Sequence, residues 1–156
     1  MKILIVLFFS FFTTIIYCQD LSTITINNFE RIYDSGRLKT IIYYIPFYVE
    51  SRSALNIDDV KRTYYIKIES RNNDSEIYNF IKGIENTRYN LINDNSFDLR
   101  CVVEFYYDNV LFFTYNLDQF SIVIDDKRVE YDVRFYNFVL RYLPRNYEEE
   151  FINYIR

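Results

Sequence analysis

The sequence predicts an α+β domain: an antiparallel β-sheet meander with two or three helices packed on one face. Three observations predict it. Residues 97–131 hold four consecutive alternating or β-branched runs separated by short polar pairs, the pattern of a meander. Two stretches, 76–84 and 133–143, place apolar residues at helical spacing. Two earlier runs, 37–45 and 63–69, are rich in Ile and Tyr and supply further strands.

In chain order, Leu21 to Asn28 alternates well enough for a short strand, and Arg37 to Ile45 is a longer run stopped by Pro46. Asn56-Ile57-Asp58-Asp59-Val60-Lys61 reads as a capped helical turn leading into the strand Thr63 to Glu69. Asn73-Asp74-Ser75-Glu76 has capping-box spacing, and Ile77, Phe80, Ile81 and Ile84 then fall on one helical face. The meander follows as Phe97 to Tyr107, Val110 to Leu117, Phe120 to Asp125 and Arg128 to Tyr131, with Asp108-Asn109 and Asp126-Lys127 as tight turns. Asp132 caps a helix striped by Val133, Tyr136, Val139, Leu140 and Leu143 until Pro144 ends it. A last helix, capped by Asn146, runs to the terminus.

Residues 1–18 read as a secretory signal: Lys2, an apolar stretch from Ile3 to Phe12, then a polar exit at Gln19-Asp20. Residues 19–156 are then a single globular domain that is exported, periplasmic or secreted, without a membrane span once the signal is cleaved. Lipidation of Cys18 as an anchor is the alternative, disfavoured by Tyr17 where a small residue is expected. After simple cleavage Cys101 is the remaining cysteine, so no intramolecular disulfide forms. The sequon Asn73-Asp74-Ser75 matters only in a eukaryotic secretory pathway.

Composition excludes more than it indicates. A hydrophobic fraction of 50% and an aromatic fraction of 21% supply enough apolar surface to offset the entropy of ordering the chain. The 17 Tyr and 15 Phe also follow from A- and T-rich codons, so their abundance alone indicates no function. A net charge of −4, one unit more negative after loss of Lys2, argues against a nucleic-acid partner. Having no histidine, the chain cannot build Ser-His-Asp or Cys-His nucleophile systems or His-ligated zinc. With 2 glycines, Gly36 and Gly83, neither GxGxxG nor GxxxxGK[ST] can be written. No cofactor is expected.

Alternation divides the meander into two faces. Leu99, Cys101, Val103, Phe105, Tyr107, Leu111, Phe113, Tyr115, Leu117, Phe120, Ile122 and Ile124 share the core side, which makes Cys101 a buried thiol. The other side mixes charges and rings, and Tyr65, Lys67, Arg100, Glu104, Tyr106 and Phe112 are its candidate partner-binding residues. The ordinary alternative is a solvated sheet face laced by cross-strand ion pairs. Asp94, Ser96 and Asp98 open with calcium-loop spacing, but Leu99 stands where glycine belongs and Phe105 where the last acid belongs. Asp58-Asp59 and Glu148 to Glu150 suit helix starts, where the dipole favours negative charge. The expected function is that of an exported accessory or binding protein acting through contacts with a protein partner, for example as an inhibitor or immunity protein. The alternative from another class is a histidine-independent hydrolase working through two carboxylates.

Overall fold

The alternating runs pair into one antiparallel sheet. A computed structural model describes residues 21–23, 37–71, 75–94 and 96–154. Its strands are β1 (Leu21–Thr23), β2 (Leu38–Tyr44), β3 (Ile66–Arg71), β4 (Arg88–Asn90), β5 (Cys101–Tyr107), β6 (Val110–Leu117), β7 (Ile122–Ile124) and β8 (Lys127–Val129). Six of them form a sheet in the order β3-β2-β5-β6-β7-β8, and β1 pairs with β4 alone. An isolated bridge between Leu91 and Val129 joins the β4 segment to the free side of β8. The proposed signal segment, most of the first expected strand, and Asn73 and Asp74 of the sequon lie outside the described residues.

The helices are α1 (Ile57–Thr63), α2 (Ser75–Ile84), α3 (Val133–Leu140) and α4 (Arg145–Tyr154). The last three lie on one face of the sheet, as the sequence predicts, and build the main core. There Ile77, Phe80, Ile81 and Ile84 of α2, Phe135, Tyr136, Phe138 and Val139 of α3 and Phe151 of α4 meet Ile42, Tyr44, Val103, Phe105, Tyr115 and Leu117. Ring contacts centred on Phe80 and Phe105 run through this layer, with Phe80 4.4 Å from Phe138 between centroids. Cys101 is buried in it.

A second, smaller core occupies the other face. Val60 of α1, Leu99, Ile45 and the partly buried Val49, Leu55, Ile57 and Phe97 cover Ile41, Tyr43, Val102 and Val123. Asn56 caps α1 through a capping box with Asp59, so a helix of seven residues is locked at its start and held by its one fully buried side chain.

Several local expectations are corrected. The strand expected from Phe97 begins only at Cys101, and the polar β4 has no counterpart in the sequence reading. Leu99, expected beside Cys101, is buried on the opposite face, because the chain is not yet in regular strand there and donates from its N–H to Leu55. The turn after β7 is Asp125-Asp126 rather than Asp126-Lys127. Both residues hold positive φ (50° and 60°), as do Asp108 and Asn109 (50° and 66°), the left-handed pair that a two-residue hairpin demands. Finally, the β5–β6 register shifts between Phe105 and Tyr106: Phe105 opposes Phe113, and Tyr106 opposes Leu111. The extra residue, Phe112, is left over by this bulge. Phe112 therefore packs toward the main core, while Leu111 is exposed rather than internal.

Candidate functional site

The six candidate residues are not gathered on one open face. Tyr65, just ahead of β3, and Lys67, on β3, are exposed. Arg100 (7% exposed) and Glu104 (3%) are internal, under the layer made by residues 45–63 and 97–99. Tyr106 is half-buried against the second core and Phe112 against the main core.

The buried charges are fully engaged. Glu104 accepts from Lys61 Nζ at 2.6 Å and from the Tyr106 hydroxyl at 2.7 Å. That bond from Lys61, chiefly, raises the pKa of the ammonium above its usual value. Lys61 and Lys67 both stand over the Tyr43 ring, at 5.8 and 5.5 Å. Arg100 donates to the carbonyl of Val49 at 2.7 Å and pairs with Asp98, whose other oxygen accepts from Leu55 N–H at 2.8 Å. Arg100 thus ties the loop after β2 onto the sheet.

A second arginine organises the loop between β6 and β7. Arg128 donates to Ser121 Oγ (2.6 Å), Asp118 (3.0 Å), Asp94 (3.2 Å) and the carbonyl of Ser96 (2.6 Å). Asp118 accepts four hydrogen bonds, from the backbone of Phe120 and Ser121, the Ser121 hydroxyl and Arg128, which uses its whole lone-pair capacity. Tyr136, from the helical side, donates to the carbonyls of Asp118 and Ser121 at 3.0 Å each. A loop clamped from both faces presents Phe120 to solvent at 68% exposure. By alternation Phe120 belongs to the core; the loop bonds of Asp118 turn it out before β7 begins.

Beside Phe120 lies a cavity of about 330 Å³ lined by Phe47, Phe97, Asp98, Arg100, Asp118 and Arg128, among others. It brings two carboxylates to one concave surface, but Asp98 is tied to Arg100 and Asp118 is saturated. Asp94, first residue of the calcium-like spacing, is bonded to Ser96 and Arg128, and Ser96 holds its carboxyl below the ordinary range. Among the described residues no group of three His, Cys, Asp or Glu is placed to hold a metal ion. Nor, among them, is any helix long and apolar enough to cross a membrane.

The strand directions put the ends of β2, β6 and β8 and the starts of β3, β5 and β7 at one end of the sheet. The exposed aromatic side chains of the described residues, Tyr48, Tyr64, Tyr65, Phe120 and Tyr131, all sit in connections at that end. The β5–β6 hairpin at the other end exposes the aliphatic Val110 and Leu111 beside the polar turn, and no ring. Partial desolvation raises the Tyr48 phenol above its usual pKa, helped by the nearby Tyr147, Glu150 and Tyr65. Glu150 braces this end from below, accepting from the Tyr44 hydroxyl (2.5 Å) and from Phe47 N–H (2.8 Å). Sequence reasoning singled out Tyr65 alone of the exposed rings; connections carry no periodicity from which the others could be read. No protein-family model, curated protein or solved structure matches the chain.

Proposed function

We propose that this protein is an exported binding module whose partner is a protein, and that it makes contact through the loop end of the sheet. The observation that supports this reading is the segregation of exposed rings: among the described residues Tyr48, Tyr64, Tyr65, Phe120 and Tyr131 occupy one end, and the other end has none. Exposed aromatics held on rigid supports lose little entropy on binding and dominate interface energetics. Phe120 is the best-supported anchor, because Asp118, Ser121, Arg128 and Tyr136 fix its loop from both faces. The carboxylates beside it, Asp118 saturated and Asp98 tied to Arg100, favour a recognition surface over proton-transfer chemistry.

A photo-crosslinking residue placed at position 120 in the producing cell tests the reading. A discrete protein adduct is expected from position 120 and none from position 110 at the opposite end. Phe120→Ala should remove the complex while shifting stability by no more than about 0.5 kcal/mol, as for other exposed positions. Adducts that form equally from positions 110 and 120, or none from either, refute it.

A further inference from the structure

The two edges of the sheet are treated differently. At β8 the free side is covered: Leu91 bridges Val129, Ile92 N–H donates to the Arg128 carbonyl at 2.9 Å, and Glu130 N–H donates to the Asn90 carbonyl at 3.1 Å. At the other edge β3, a strand of six residues, ends the sheet among the described residues. An open strand edge carries a row of backbone donors and acceptors that another strand can complete.

A second copy of this chain can supply that strand in only a few registers. When a two-fold axis continues a sheet with both helical layers on one side, opposed residues must share a face. Some residue of β3 therefore meets its own counterpart at the axis. Centring on Lys67 sets two ammonium groups against each other, and centring on Glu69 opposes two carboxylates and places Lys67 against position 71, an arginine. Centring on Ile66 or on Arg71 pairs one residue of the strand, and centring on Ser70, which sets Glu69 opposite position 71, pairs three of the six, whereas centring on Ile68 pairs five. Centring on Ile68 sets Lys67 opposite the partner's Glu69 and Glu69 opposite the partner's Lys67, two charge pairs related by the axis, and brings Tyr65 to position 71 across the seam. Lys39 Nζ already lies 3.4 Å from Glu69 within each chain. Charges of alternating sign then run across the seam from Lys39 through Glu69 to the partner's Lys67.

We propose that the protein self-associates as a two-fold dimer through antiparallel pairing of β3, centred on Ile68. The interface is a strand edge rather than a buried face, so the association is reversible and in the micromolar range. It shares Tyr65 with the loop-end partner surface but does not involve Phe120, and Phe120→Ala leaves it intact.

Analytical ultracentrifugation of the chain, purified with its native N-terminus from the cell that makes it, tests the proposal. Wild type should show a concentration-dependent monomer–dimer equilibrium. Lys67→Glu places glutamates opposite one another twice, and Glu69→Lys places lysines so; each should weaken dimerisation by about tenfold or more. An equimolar mixture of the two variants restores both pairs across the axis, as does the double variant alone, and both should dimerise as wild type does. The mixture separates the seam from any effect within one chain, and the double variant serves if a single one folds poorly. A monomer up to about 1 mM, a dimer indifferent to either reversal, or a mixture and double variant no tighter than the single variants would overturn the proposal.

Discussion

At the scale of single residues, several polar groups inside this protein find partners far away in sequence. Glu104 depends on Lys61, Arg100 on Val49, and Tyr44 on Glu150. The clearest energetic consequence is at Asp132, which caps α3 and lies against Arg134 and Tyr89. Burial opposes its charge, but hydrogen bonds from the side chain and backbone of Arg134, the charge of Arg134 and the Tyr89 hydroxyl outweigh it and hold the carboxyl below its usual range. A carboxyl depressed in the folded state stabilises the fold above its unfolded pKa, and that stabilisation is lost as pH falls through the folded value. Asp132→Asn keeps a capping oxygen and removes the charge. The variant should lose about 1–2 kcal/mol at pH 7, and the difference should start to shrink as pH falls below the unfolded value of about 4 and vanish only below the depressed folded value, where Asp132 is neutral. Urea midpoints at neutral pH and across that acid range measure this; a constant difference would mean that the charge contributes nothing.

At the scale of elements, α1 is the piece on which the second layer depends. Its apolar contribution is small, so its cap matters more than in a longer helix. Asn56 Oδ1 accepts from Asp59 N–H at 3.0 Å, and Asp59 returns the bond to Asn56 N–H at 3.3 Å. Asn56→Ala should therefore cost about 1 kcal/mol, read as a shift of the urea midpoint with an unchanged slope. Hydrogen exchange should quicken first across residues 57–63, because those amides lose their helix before the sheet opens. If protection there matches wild type, the cap does not hold the helix. The bulge opposite Phe105 acts at the same scale: one extra residue turns Phe112 inward and Leu111 outward, reversing an assignment that strict alternation makes.

For the whole molecule, both cores share the same strands. Ile41 and Tyr43 of β2 and Val102 of β5 face the smaller core, while Ile42, Tyr44, Cys101 and Val103 of the same strands face the larger. Neither layer can be lost without exposing the back of the other, so unfolding should be a single transition. Val60→Ala, in the smaller core, should lower stability by about 1–3 kcal/mol, and Ile81→Ala, in the larger, by about 2–5 kcal/mol. Both should move the same urea transition. Cys101 is an internal probe of it, since burial raises its thiol pKa and hides it from reagent. Its labelling rate should follow the circular dichroism transition in every variant; Val60→Ala that frees Cys101 without melting the sheet, or a separate early transition, would show the layers to be independent.

The sequence by itself determined the helices, the long strands and the main core, though not the polar β4. Periodicity needs only near neighbours, and the stripes Ile77-Phe80-Ile81-Ile84 and Cys101-Val103-Phe105 state their buried sides directly. The same locality explains the hairpin pairs of Asp and Asn, residues that tolerate positive φ. What only the tertiary structure decided was the fate of the opposite face. Arg100 and Glu104 read as residues of an open sheet face because charge ordinarily means water, and partners more than 40 positions away, Val49 and Lys61, help to satisfy them in the interior. The loop over residues 45–56 has no period to announce that it covers anything. Phe120 has the parity of a core residue and was turned outward by Asp118, Arg128 and Tyr136, whose convergence exists only once β6, β8 and α3 are assembled.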